Sequence, residues 1–215
     1  MVYQLKRIKK DVRICIDRND EDTSLLHDGD EDTLNLDDII ESKVLEAVER
    51  VECEAPYHLL EQGHNFDNES EAVYWGDQES GLVLLPEDFM RLVVFEMSDW
   101  ERPVYTPITP DDPRYARQHN RVKALRGTAQ RPVCAIAVRP EGRVLEFWSC
   151  KSTGATISRA VYIPQPTIDE HGGVDISERC YDAVVYTCAA LTLVSCGEAD
   201  KAKTMFEMAK TYLTK

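Results

Sequence analysis

From Ala183 to Gly197 the chain runs fifteen residues without a charge (AVVYTCAALTLVSCG). A stretch this apolar on every side must be buried, and it is too long for one strand, so it predicts a helix at the centre of the core. It falls short of the ~20 residues a bilayer-spanning helix needs. No apolar leader run stands near Met1, and the expectation is a protein without membrane association. Asp175 and Glu178 are spaced as a capping box, which places this helix at Ile176 to Ser195. Gly197 breaks it. Ala202, Met205, Phe206, Ala209, Tyr212 and Leu213 then mark a second, amphipathic helix, so the C-terminal portion reads as an αα-hairpin.

Upstream, Leu5, Ile8, Val12 and Cys15 fall at helical spacing with Lys6, Arg7, Lys9, Lys10 and Arg13 opposite them. Ile40, Val44, Ala47, Val48 and Val51 form the stripe of a further helix, whose first turn holds Asp37 and Asp38 at the positive end of its dipole. The acid-rich run 17–33 between these helices reads as a solvated loop. It fails as an EF-hand, because a loop anchored on Gly29 puts Ser24 and Leu26 at its first and third positions, and no glutamate closes it at Asn35.

Residues 72–85 read as a β-hairpin. Pro86, with Glu87 and Asp88 in a first turn and apolar residues on nearly every side through Met97, predicts a short buried helix over 86–97. Asp112-Pro113 opens a surface helix near 112–124. Pro132–Val138, Val144–Trp148 and Thr156–Ile163 supply three strands of an antiparallel sheet. The expected fold class is α+β. A mainly α-helical bundle (1–63, 86–97 and 175–215) would carry an added antiparallel β-sheet subdomain (100–163, with the 72–85 hairpin), all in a single domain spanning 1–215.

Net charge is −14, and its distribution is uneven. Residues 1–16 sum to +4, residues 17–101 to −22 and residues 102–215 to +4; within 102–159, eleven bases face four acids. A strongly acidic protein does not coat nucleic acid, since affinity there comes from neutralising phosphates. A basic region beside an acidic one suits self-association instead.

Chemistry-bearing motifs are lacking. The sequence contains no G-x-G-x-x-G, G-x-x-x-x-G-K-[ST], H-E-x-x-H or G-x-S-x-G, so no cofactor is expected. The seven cysteines include no C-x-x-C and read as buried free thiols of a reducing compartment. Of the five histidines only His58 and His64 are close, and two ligands without a third make no metal site. Asn68-Glu69-Ser70 is a formal glycosylation sequon that the free-thiol reading makes incidental.

Three stretches together resemble head-tail connector proteins of tailed bacteriophages, most closely those of short-tailed and crAss-like phages. They are Leu36-Asp37-Asp38-Ile39-Ile40 continued by 42–48, then Leu85-Pro86-Glu87-Asp88-Phe89-Met90-Arg91-Leu92-Val93 followed by Trp100 and Arg102-Pro103-Val104, and the alanine-rich closing helices 182–194 and 198–210. Pro86, Phe89, Leu92 and Trp100 are the packing motif of the middle stretch. The resemblance implies a non-enzymatic virion protein assembled in the host cytoplasm, forming a twelvefold ring of identical copies below the portal protein. Such a ring contacts further tail or ring proteins and lets genomic DNA pass without binding it specifically.

A closed ring needs two different complementary patches per subunit. The expected pair is Arg114, Arg117, Arg121 and Arg126 against an acidic surface of the neighbour drawn from 17–101. Two other classes compete. One is a small intracellular enzyme or ligand-binding protein using Cys134, Cys150, His119 or His171. The other is a nucleic-acid module using Lys6 to Arg13 and Arg114 to Arg131.

Overall fold

A computed structural model describes residues 1–16, 35–61, 63–66, 71–75 and 79–214. The expected acidic loop and the sequon at 68–70 lie outside them. The chain divides into a helical unit, 1–62 with 165–215, and a β unit, 63–164.

In the helical unit the uncharged run forms α4 (Tyr181–Ser195), which packs against α1 (Leu5–Cys15), α2 (Leu36–Glu54) and α5 (Ala199–Leu213). Val184, Cys188, Ala189 and Ala190 are fully buried against Ile8, Val12, Ile40, Val44 and Val48. The small residues of α4 let three helices approach one axis. At its end Gly197 adopts φ +79°, the left-handed conformation that glycine takes without a Cβ penalty, and the Glu198 N–H reaches back to the Leu193 carbonyl.

The start of α4 differs from expectation. Asp175 does not cap a helix: it ends strand β9 (Gly173–Asp175), which pairs antiparallel with β1 (Val2–Gln4), and its carboxylate meets the N-terminal ammonium at 2.8 Å. A 3₁₀ turn, Glu178–Cys180, precedes α4. The capping box is instead on α2, where Asn35 accepts from the Asp38 N–H and Asp38 accepts from the Asn35 N–H. Arg13 on α1 donates to Asp37 on α2 at 2.7 Å.

The β unit holds two sheets. One has the order β2-β8-β5, from His64–Asn65, Ile157–Pro164 and Phe89–Met97. The other has the order β3-β4-β7-β6, from Val73–Trp75, Ser80–Leu84, Gly142–Trp148 and Val133–Arg139. All their pairings are antiparallel. Between the sheets lies an aromatic core of Phe66, Phe95, Trp100, Phe147 and Tyr162. The Phe95 and Phe147 ring centroids, one from each sheet, are 6.1 Å apart. Val104 bridges to Phe95 on β5 and Ile108 to Ala135 on β6, so segment 104–108 ties the edge of one sheet to the edge of the other.

The fold class therefore corrects the expectation. Among the described residues there are five α-helices and nine strands in three antiparallel sheets, and the β portion is a full structural unit. It is not a helical bundle with a small sheet added. The decisive segment is 86–97, expected as a bundle helix and found as β5, the longest strand. Three register shifts against β8 break its in-out alternation, so its apolar residues fall on both faces and imitate a buried helix. Pro86 and Asp88 shape a turn: the Phe89 N–H donates to the Pro86 carbonyl, and the Tyr162 hydroxyl donates to Asp88 at 2.8 Å.

Candidate functional site

Asp112 accepts from the Arg114 N–H at 2.8 Å, and Pro113 stands at the first helical position, so the helix starts where the sequence predicts. This helix, α3 (Pro113–Gln118), is shorter than expected. It gives way to a tip around the 3₁₀ turn Lys123–Leu125. Gln118, nearly buried, straps the tip on both sides: its Nε2 donates to the Arg114 carbonyl at 3.0 Å and its Oε1 accepts from the Gly127 N–H at 2.8 Å. Asn120 Oδ1 accepts from the Val122 N–H at 2.9 Å, and Thr128 and Arg131 exchange backbone hydrogen bonds.

This excursion covers the outer face of sheet β3-β4-β7-β6. Tyr115 and His119 set their ring edges on Trp148, with centroids 5.8 and 5.6 Å away. Beneath them is Glu146 on β7, 0% exposed, opposite Ala135 on β6. Its carboxylate accepts from the Tyr115 hydroxyl at 2.8 Å and from Arg139 Nε at 2.6 Å. Burial and the adjacent carboxylate raise the Tyr115 phenol above its usual range, which keeps it a donor at every physiological pH. The excursion is thus pinned by a charged latch, since a buried carboxylate is tolerated only when its oxygens are partnered.

The four arginines expected to act together differ in availability. Arg114 is committed to Asp112, gripping it with both Nε and Nη2, and this holds the Asp112 carboxyl down at about 2. Arg126 donates from Nε to the Asn120 carbonyl and braces the tip. Arg117 and Arg121 are exposed and project charge outward. From Pro113 to Arg131 the excursion holds six bases and no acid. Two aliphatic residues sit among them, Val122 at 55% and Leu125 at 53% exposure.

Pro86, Phe89, Leu92 and Trp100 share a neighbourhood in the β unit. Phe89 stacks on Tyr162, Leu92 is buried, and Trp100 lies edge-on to Phe95 and Phe147. Phe89, Leu92 and Trp100 are core, and Pro86 is half-buried in the turn before β5. Tyr115, Arg139 and Glu146 were missed by sequence reasoning. The sequence showed only one acid in an apolar strand; that it lies opposite the small residue Ala135, which leaves room for an overlying ring, follows from the strand register.

The two cysteines of the enzyme reading are poorly placed for nucleophilic work. Burial drives the Cys134 thiol far above its ordinary value and pushes Cys150 up to about 12, so both stay protonated and unreactive near neutral pH. His119 is exposed and packs its ring against Tyr115 and Trp148, and His171 lies exposed in the turn before β9. Among the described residues, no three His, Cys, Asp or Glu side chains gather as a metal site, and no helix is long and apolar enough to cross a membrane. Compared with known protein families and with curated proteins, the chain gives no match.

Proposed function

We propose that this chain is a non-enzymatic subunit of a homo-oligomeric ring at the head-tail junction of a tailed bacteriophage, seated below the portal protein and extending the DNA channel. The observation that carries this reading is the segregation of charge onto one braced element. The helical unit has 25 acids against 13 bases, while residues 113–131 of the β unit have six bases and no acid. Identical copies with such unlike surfaces attract front to back, which is the contact a closed ring repeats. The resemblance supports the reading at two of its three stretches, the opening of α2 and the α4-α5 pair, which are helices here. The middle stretch is strand β5 and lends it nothing.

An excess of acid over the whole chain suits a conduit, because a wall that repels phosphates lets a duplex slide. The test is electron microscopy of the purified protein mixed with a portal protein, with duplex retention measured at physiological salt. The expected result is a ring, twelvefold as the resemblance implies, stacked on the portal and not retaining duplex. Failure to associate with any portal, or tight duplex binding, contradicts the proposal.

A further inference from the structure

The ring reading requires two patches, and the structure offers a specific candidate for each. The first is the tip of the β-unit excursion. Its backbone is fixed by Gln118, Asn120 and Arg126, yet it holds Val122 and Leu125 more than half exposed. Exposed aliphatic side chains beside exposed arginines have the anatomy of a binding hot spot, an apolar centre inside a polar rim. A braced tip also loses little conformational entropy on docking.

The second patch is a groove of about 480 Å³ on the helical unit, floored by Val51, Val194, Ala202, Phe206 and Leu213 between α2 and α5. Val194 is 53% exposed, unlike the rest of the apolar face of α4. The charges lining the groove nearly balance: Arg50, Lys203 and Lys210 against Glu54 and Glu207. Arg50 and Lys210 are already drawn to Glu46 and Glu207 on their own helices. Seating is therefore an apolar matter, and attraction at longer range comes from the unit as a whole. Its described residues carry 17 acids against 11 bases.

We infer that Val122 and Leu125 of one copy insert into the α2-α5 groove of a second copy, with Arg117 and Arg121 steering the approach to the acidic helical unit. This inference rests on the ring reading and names its repeating contact. The occupant is a second copy because tip and groove are different surfaces of one chain, the tip wholly basic and the unit bearing the groove net acidic. Repeated front to back, that contact can close a ring.

The test uses the full chain and native mass spectrometry. Val122→Asp with Leu125→Asp removes the tip, and Val194→Asp blocks the groove. All three positions are exposed, so the fold should persist, and circular dichroism checks it. Each variant alone should self-associate roughly a hundredfold more weakly than the unsubstituted chain. Mixed in equal amounts, the two retain one good tip and one good groove between them and should form a 1:1 pair that grows no further.

Assembly of either variant as in the unsubstituted chain overturns the inference, as does a mixture that never pairs. Loss of portal binding by the tip variant with self-association intact overturns it too, because the tip would then serve another protein. Rings from the unsubstituted chain together with unaffected variants would remove this contact and leave the ring reading standing. An unsubstituted chain that stays monomeric would remove both.

Discussion

Each unit buries an acid, and the two hold it differently. In the helical unit Glu52, 4% exposed, accepts from the backbone N–H of Ser177, while the Asn35-Asp38 box and the Met1-Asp175 pair lie at the surface. Its centre is aliphatic and alanine-rich. The β unit has an aromatic centre, and on the other face of one sheet it places a fully buried carboxylate under a tyrosine and an arginine. In the first, side-chain shape fixes the arrangement. In the second, a directional polar latch fixes one element, and that element carries the proposed contact surface.

Four substitutions probe this contrast. Phe147→Ala removes the ring that meets Tyr74, Phe95 and Trp100, and should cost about 3–5 kcal/mol in chemical denaturation. Glu146→Ala strands the Tyr115 hydroxyl, while Arg139, at 41% exposure, regains water, so about 1–3 kcal/mol is expected. Its distinguishing effect is faster hydrogen exchange confined to 113–131; uniform loosening of the β unit would show that Glu146 does not latch the excursion. Asn35→Ala removes a helix cap at the edge of the helical unit and should cost about 1 kcal/mol without altering exchange at the centre of α4.

The smallest effect concerns Glu52, the buried acid of α2. Burial raises its pKa above the usual 4.5, partly offset by hydrogen bonding to Ser177. Between 4.5 and that raised value the folded chain holds a proton that the unfolded chain has lost, so stability falls as pH rises through this window. Glu52→Gln should abolish that contribution. Its Tm should exceed that of the unsubstituted chain at pH 7, and the advantage should disappear as pH falls to 4.5 and below. An advantage unchanged by pH would show that Glu52 does not titrate as described.

The contrast also explains what the sequence could reveal. Periodicity of 3.6 exposed α1, α2 and α5, and α4 was legible from an uncharged run too long for one strand. The strands β6, β7 and β8 were legible from their β-rich runs and the Pro140-Glu141-Gly142 turn. β5 was not, since its bulges scatter apolar residues over both faces and Pro86-Glu87-Asp88 mimics a helix start. Glu146 was illegible for a different reason: a charged residue in a strand ordinarily marks the wet face, and only the fold brings Tyr115 and Arg139 over it. The excursion was visible as a run of arginines. Which of them stay available depended on Asp112 and Asn120, whose local hydrogen bonds follow from the backbone path.

The central claim, that copies of this chain meet front to back and close into a ring, is tested most directly by native mass spectrometry of the purified protein at rising concentration and at low and high salt. The account predicts one discrete high-order species with a fixed subunit number, weakened by salt as Arg117 and Arg121 are screened. A particle that remains a single chain at every concentration and salt would contradict it.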